Sequence, residues 1–320
     1  MASLTTAAED ENNSTHTQGK HSFHDLYDAP DACHYMREMH RVQYLIGDHS
    51  ARIALKAIES LFSKPAEAEA LPPVMLELCA GYGLSMAPIR TTRSCTEVIA
   101  HYVPERPELK VALAEDRAYF SSAAREGLPV LCSVGADVAG HALSYGKEVG
   151  LFDEFIARNL EEDPATEGNI LTAEEGALCS RARLVLATGA FSYITTITLG
   201  KVIDFCDVKV GQEQVDGVQG NVPVFLFFPL VSTKVADIVA FFESRGLEVY
   251  YKPAVHWLPQ RKFADDVEAG VVEASQSEVL AAHEAEGRPS GALDGHLHAT
   301  PLIAGPKSLG LAKLCPGWLA

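Results

Sequence analysis

The chain has no long apolar run, no paired-cysteine motif and no cluster of basic side chains, and each absence removes a class of function. Its longest apolar stretch, Val222 to Val231, is about half of what a membrane-spanning helix needs, and Pro223 and Pro229 interrupt it. No membrane partner is therefore expected. The seven cysteines, at 33, 79, 95, 132, 179, 206 and 315, are scattered and include no CxxC pair. Free thiols in a reducing compartment follow, with neither a disulfide framework nor a zinc site, and no metal is expected. Twenty-six basic residues stand against 43 acidic ones, a net charge of -17, and no Lys/Arg-rich segment is available to neutralise phosphates. Nucleic acid is accordingly not an expected partner. Residues 1–24 lack the basic start and apolar stretch of a secretion signal; they read as a flexible tail, and the expected location is cytoplasmic.

What is present is a chain of 320 residues, 47% hydrophobic and 22% charged, long enough to bury a large core. From Tyr35 to Phe62, Met36, Met39, Val42, Leu45 and Ile46 recur at helical spacing, followed by Ile53, Ala54, Ala57, Ile58 and Leu61. The pattern predicts two amphipathic helices broken near Gly47, with Asp48 or Ser50 capping the second. Beyond the linker KPAEAEALPP the texture changes to short apolar strands: Val74–Leu78, Val130–Val134, Phe155–Leu160, Ala182–Ala187, Val222–Phe228, Leu247–Tyr251 and His296–Ile303. Helical stretches at Val138–Val149, Ile194–Cys206 and Lys234–Arg245 separate them. Apolar strands alternating with helices indicate an α/β fold with a mostly parallel sheet covered on both faces. Ligands of such sheets bind beyond the carboxyl ends of the strands. Residues 91–128, with Pro104, Pro107 and Tyr119-Phe120, fit the alternation poorly and read as a helical insertion. The expected organisation is thus a tail (1–24), an N-terminal helical cap (25–71) and an α/β core (72–320).

The chemistry-bearing segment is PPVMLELCAGYGLSMAPI, a buried strand running into a glycine turn. Gly81 and Gly83 let the main chain approach a ligand closely, and Glu77 can accept a hydrogen bond from a cationic amino group. The third glycine of a dinucleotide fingerprint is replaced by Met86, and no Walker lysine follows, so neither dinucleotides nor nucleoside triphosphates are favoured. On spacing alone the two glycines also suit a plain strand-to-helix turn.

Glu77-Leu78-Cys79-Ala80-Gly81-Tyr82-Gly83 resembles the first motif, E/D-x-x-x-G-x-G, of the class I S-adenosylmethionine (SAM) dependent methyltransferases. The resemblance covers roughly Val74 to the C-terminus. It implies a Rossmann-like class I methyltransferase fold, a mostly parallel seven-stranded sheet with helices on both faces, preceded here by the helical cap. It also implies SAM as the bound cofactor or substrate and a small molecule as partner. Carried over to this chain, Glu77, Ala80, Gly81 and Gly83 would hold the amino-acid part of SAM. Asp137 in VLCSVGADVAG would hold the ribose, although it equally suits capping of the helix that follows. Asn159 and Leu160 in FIARNLEED would face the adenine. Thr188 and Gly189 in ARLVLATGAFSYIT would lie by the sulfonium, where Tyr193 offers its ring or hydroxyl. Tyr35 and Tyr44 of the cap would face the same end, and HWLPQRKF, with Trp257, Gln260 and Arg261, would close the pocket from the other side. None of the histidines has a spacing that marks it as catalytic.

A second resemblance is narrower. HALSYGKEVGLFDEFIARNLEED and ATGAFSYITTITLGKVID, with the helical cap, are similar to a bacterial subgroup of methyltransferase-like proteins of secondary metabolism, the azetidine-2-carboxylate synthases. It implies that SAM is cyclised to azetidine-2-carboxylate and methylthioadenosine with no acceptor. The alternative is methyl transfer to a small molecule.

Overall fold

The computed structural model describes residues 29–62, 71–104, 109–162, 171–189, 191–206, 222–230, 233, 235–252, 256–263 and 296–320. Two helices, α1 (Cys33–Arg41) and α2 (Ile46–Leu61), precede the first strand, β1 (Val74–Leu78). Three helices, α3 (Ala87–Arg90), α4 (Cys95–His101) and α5 (Leu109–Ser121), connect it to β2 (Cys132–Asp137). Then come α6 (Gly140–Glu148), β3 (Glu154–Ala157), α7 (Ala173–Ser180), β4 (Ala182–Thr188), α8 (Thr196–Phe205), β5 (Val224–Phe228), α9 (Ala236–Ser244) and β6 (Leu247–Tyr251). The chain ends with β7 (Leu258–Lys262), β8 (His296–Ala299), β9 (Leu302–Pro306) and α10 (Leu311–Leu319).

Seven strands form one sheet in the order β3-β2-β1-β4-β5-β9-β6. All neighbours are parallel except β9, which runs antiparallel between β5 and β6. The order reverses between β1 and β4, so a crevice opens beyond the carboxyl ends of those two strands. This is a Rossmann-like α/β fold, reached because β1 and β5 are buried along their whole length and must be covered on both faces. Alternate residues feed two cores. Met75, Leu184, Leu186, Leu226 and Phe228 face one, while Leu76, Leu78, Val185, Ala187, Phe225 and Phe227 face the other. The first core includes Met36, Met39, Ile53, Ala57 and Ile58 of the N-terminal helices, so α1 and α2 cover the sheet itself. Trp318 of α10 donates to Ser60 of α2 at 3.1 Å, tying the two ends of the chain together.

Several expectations shift. The helical break falls at Val42–Leu45, where Gln43 adopts φ 49°, and Gly47 lies inside α2. A side chain at Gly47 would sit 2.3 Å from Cys95 Sγ, so that glycine serves a close helix contact. Neither Asp48 nor Ser50 caps α2: the Asp48 carboxylate accepts from Cys95 N (2.7 Å) and the Ser50 hydroxyl donates to Gly47 O (2.9 Å). The second strand is displaced to 132–137, leaving Val130 exposed. It runs through Gly135 because Leu143 and Phe152 each come within 2.9 Å of where a side chain would stand. The third strand stops at Ala157, placing Asn159 and Leu160 in the loop beyond it. The segment 296–303 is two strands, not one. Thr300 and Pro301 divide it, since proline has no N–H for a ladder; β8 pairs with β7 outside the main sheet while β9 enters it.

Candidate active site

Every residue singled out for cofactor binding stands at the carboxyl ends of β1 to β4, because the loops that carry them leave the sheet there. After β1 the chain turns through Cys79, Gly81 and Gly83 with φ of 52°, 49° and 76°. Such torsions strain a residue with a Cβ and suit glycine. At Gly83 a side chain would also meet the Phe152 ring at 3.0 Å. The same ring presses on Gly135 and Gly146, so Gly83 leaves room for a core aromatic as well as shaping the turn. Gly81 N donates to Asp137 Oδ2 at 2.9 Å, and Ala139 N donates to Asp137 Oδ1 at 3.0 Å. Asp137 thereby ties the glycine turn to the segment before α6 and does not cap that helix, whose N-cap is Ala139 with no side-chain hydrogen bond.

Glu77 is 3% exposed, and its Oε2 has no hydrogen-bond partner among the described residues. Burial pushes its carboxyl well above the usual range, and the nearby Asp137 charge adds to the shift. A cation brought to that oxygen opposes both causes. An orphaned buried carboxyl is costly, and here it lies where the fold binds ligands.

The roof comes from the N-terminal helices and from β7. Leu45 N donates to Gln260 O at 2.7 Å and Lys262 N to Val42 O at 2.6 Å, so the α1–α2 connection and β7 are joined main chain to main chain. Tyr44, 8% exposed, reaches Ser85 Oγ at 3.4 Å. Burial raises its phenol far above the ordinary value, and Tyr35, Cys95 and Glu77 act in the same direction against the Ser85 hydrogen bond. It is a neutral hydroxyl. Tyr35 packs its ring against Tyr82, with centroids 5.4 Å apart. Gly189, φ 74°, closes the end of β4: a side chain there would lie 2.9 Å from Gln260 Nε2 and 3.8 Å from the Tyr44 hydroxyl. Thr188 Oγ1, Gln260 Oε1 and Thr300 Oγ1 are further buried polar atoms with no hydrogen-bond partner among the described residues.

Tyr193 sits in a short 3₁₀ turn after β4 and is 48% exposed. Partial burial raises its phenol, and Cys79 adds to the shift. Phe191 packs against Phe227 in the core. Cys79 itself is pushed up to about 12 by burial, then by Asp137, Glu161 and Glu77. It is a thiol, not a nucleophilic thiolate. Asn159 turns toward its own loop: Oδ1 accepts from Glu161 N (3.1 Å) and Nδ2 donates to Glu162 (3.2 Å), while Leu160 is buried beside it. Of the residues expected at the sulfonium end, the structure brings the Tyr44 hydroxyl beside Gly189, which follows Thr188; Tyr35 packs on Tyr82 and Tyr193 lies in the turn after β4. Ser85, Phe152 and Thr300 are not legible in the sequence, because no spacing marks a residue brought in by tertiary packing. Among the described residues no three His, Cys, Asp or Glu side chains are grouped to hold a metal ion, and no helix is long and apolar enough to cross a membrane.

No protein-family profile and no curated protein matches the chain. Solved structures do. A SAM-dependent methyltransferase from Geobacter sulfurreducens in complex with S-adenosyl-L-homocysteine is 12% identical over 80% of this chain and 90% of its own, with a TM-score of 0.32. YcgJ from Bacillus subtilis is 12% identical, over 81% and 98%, with a TM-score of 0.36. The plantazolicin methyltransferase BamL, in complex with a triazolic desmethylPZN analog and SAH, is 10% identical, over 85% and 89%, at 0.36.

Proposed function

We propose that this protein is a SAM-using enzyme of small-molecule, secondary metabolism, located in the cytoplasm, and that its reaction is the cyclisation of SAM to azetidine-2-carboxylate and methylthioadenosine. The observation that carries the SAM reading is the buried, unpartnered Oε2 of Glu77 beside the Gly81–Asp137 turn at the switch in strand order. The unpartnered Glu77 carboxyl suits the cationic amino-acid end of the molecule. Glu77, Ala80, Gly81 and Gly83 would receive its amino-acid part, Asp137 the ribose, Asn159 and Leu160 the base. Thr188, Gly189, Tyr44, Tyr35 and Tyr193 would surround the sulfonium. In the proposed organisation the cap segment, 25–71, contributes α1 and α2 to the core of the sheet, and 72–320 is the SAM-binding part with an insertion at about 91–128; the expected tail, 1–24, lies outside the described residues.

In this reading the approaching ammonium offsets the burial that keeps Glu77 protonated, so that the carboxyl gives up its own proton to solvent, meets SAM as a carboxylate and then takes the ammonium proton. The freed nitrogen lone pair forms a bond to the γ-carbon while the carbon–sulfur pair leaves to sulfur. A neutral thioether departs and the positive charge remains on the ring nitrogen. The roof joined through Leu45 and Lys262 keeps water and foreign nucleophiles away, and alignment supplies the remaining barrier reduction.

Methyl transfer to a small molecule is the second reading, favoured by the half-exposed Tyr193 after β4, a side chain that an acceptor could meet. Incubation of pure protein with SAM alone decides between them. Stoichiometric methylthioadenosine and azetidine-2-carboxylate are expected; S-adenosylhomocysteine formed only with an added acceptor would establish methyl transfer. Absence of heat on titrating SAM into folded protein would remove both.

A further inference from the structure

Gln260 carries a second feature of the site. It is 6% exposed, with Oε1 unpartnered among the described residues. Its amide lies over Gly189, whose missing side chain is what admits it. Its main chain is held by Leu45, next to Tyr44. Thr188, whose hydroxyl is equally buried and unpartnered, immediately precedes Gly189. Thr188 also pairs in register with Phe228, and Thr300 N donates to Pro229 O at 2.9 Å, so the third unpartnered hydroxyl stands over the neighbouring strand end. Three oxygens from β4, β7 and the β8–β9 junction are thus buried at the roofed end of the crevice. An amide oxygen has only lone pairs to offer, so the ligand group that satisfies it must carry an N–H or O–H.

We propose that Gln260 and Thr188 form a hydrogen-bonding subsite for the α-amine of SAM, separate from Glu77, which holds the nitrogen near the γ-carbon once its extra proton has gone. The inference rests on the SAM reading above. Neutral acceptors suit that role, because an amide and a hydroxyl orient an amine through its N–H without the charge attraction by which a carboxylate keeps it protonated. The three unpartnered oxygens also explain why a side chain as polar as Gln260 is buried under a strand hairpin, because a ligand-filled site removes the penalty of leaving them unmade.

Calorimetry with two probes, SAM and methylthioadenosine, tests this. Gln260→Leu is expected to weaken SAM about tenfold, one hydrogen bond's worth, and to leave methylthioadenosine, which has no α-amine, unchanged. Gln260→Glu restores SAM binding but turns over more slowly than wild type. Thr188→Val, which leaves the β7–β8 hairpin untouched, is expected to show the same selective loss and covers the event that the Gln260 variants fail to fold. Undiminished SAM affinity in Gln260→Leu and Thr188→Val would overturn the subsite, as would a parallel loss of methylthioadenosine. Wild-type protein that binds neither probe would instead overturn the SAM reading itself.

Discussion

At the scale of single residues, the tension in this protein is concentrated in Glu77. A glutamate whose folded pKa is raised binds its proton more tightly in the native state than in the unfolded chain. Stability therefore falls as pH rises from the ordinary glutamate range toward the raised folded value. Glu77→Gln removes that dependence. The variant is expected to match wild type at low pH and to melt a few degrees higher at pH 7, while losing SAM-dependent heat. Melting curves from pH 4 to 8 check it, and a variant less stable than wild type at neutral pH would show that Glu77 has an internal partner. Glycine is the readable half of this site, since a GxG after a strand announces a turn. The unreadable half is what each glycine is for: Gly83 and Gly135 admit Phe152, and Gly47 admits Cys95, contacts that depend on residues far away in sequence.

At the scale of elements, β2, α6 and the glycine turn meet on one ring. Phe152 is 2% exposed and rests against Gly83, Gly135 and Gly146. Phe152→Ala leaves a cavity between them and is expected to lower stability by about 3–5 kcal/mol, read from urea unfolding, with weakened SAM binding because the turn loses its backing. Gly83→Ala combines an unfavourable φ with the Phe152 contact and is expected to lower stability by about 1–3 kcal/mol. Unchanged stability in both variants would mean that the turn does not depend on this packing. Strands buried on both faces, such as β1 and β5, are legible as apolar runs, and β6 is legible to the residue. β2 and the 296–303 segment are not. The first ends in small residues that read as a turn, and the second, HLHATPLI, is divided at Thr300-Pro301, with its halves pairing in different sheets.

At the scale of the whole molecule, the structure changes the meaning of the cap. The sequence suggests helices folded over a finished domain, yet α1 and α2 share one core with β1, β4 and β5. Their connection is bonded to β7, and Trp318 of α10 anchors α2. Covering a sheet face is not optional, so these helices are expected to melt with the sheet and not before it. The chain contains two tryptophans, Trp257 just before β7 and Trp318 against α2. In Trp257→Phe, the remaining indole reports on the packing of α10 against α2, while far-ultraviolet circular dichroism follows all the helices and strands. The two transitions are expected to coincide, and saturating SAM at about 100 times its dissociation constant should raise both together, by the equivalent of about 2.7 kcal/mol. An earlier Trp318 transition, or one that SAM does not move, would make the helices an independent lid. The roof over Gly189 would then have to assemble at each turnover instead of being built with the fold.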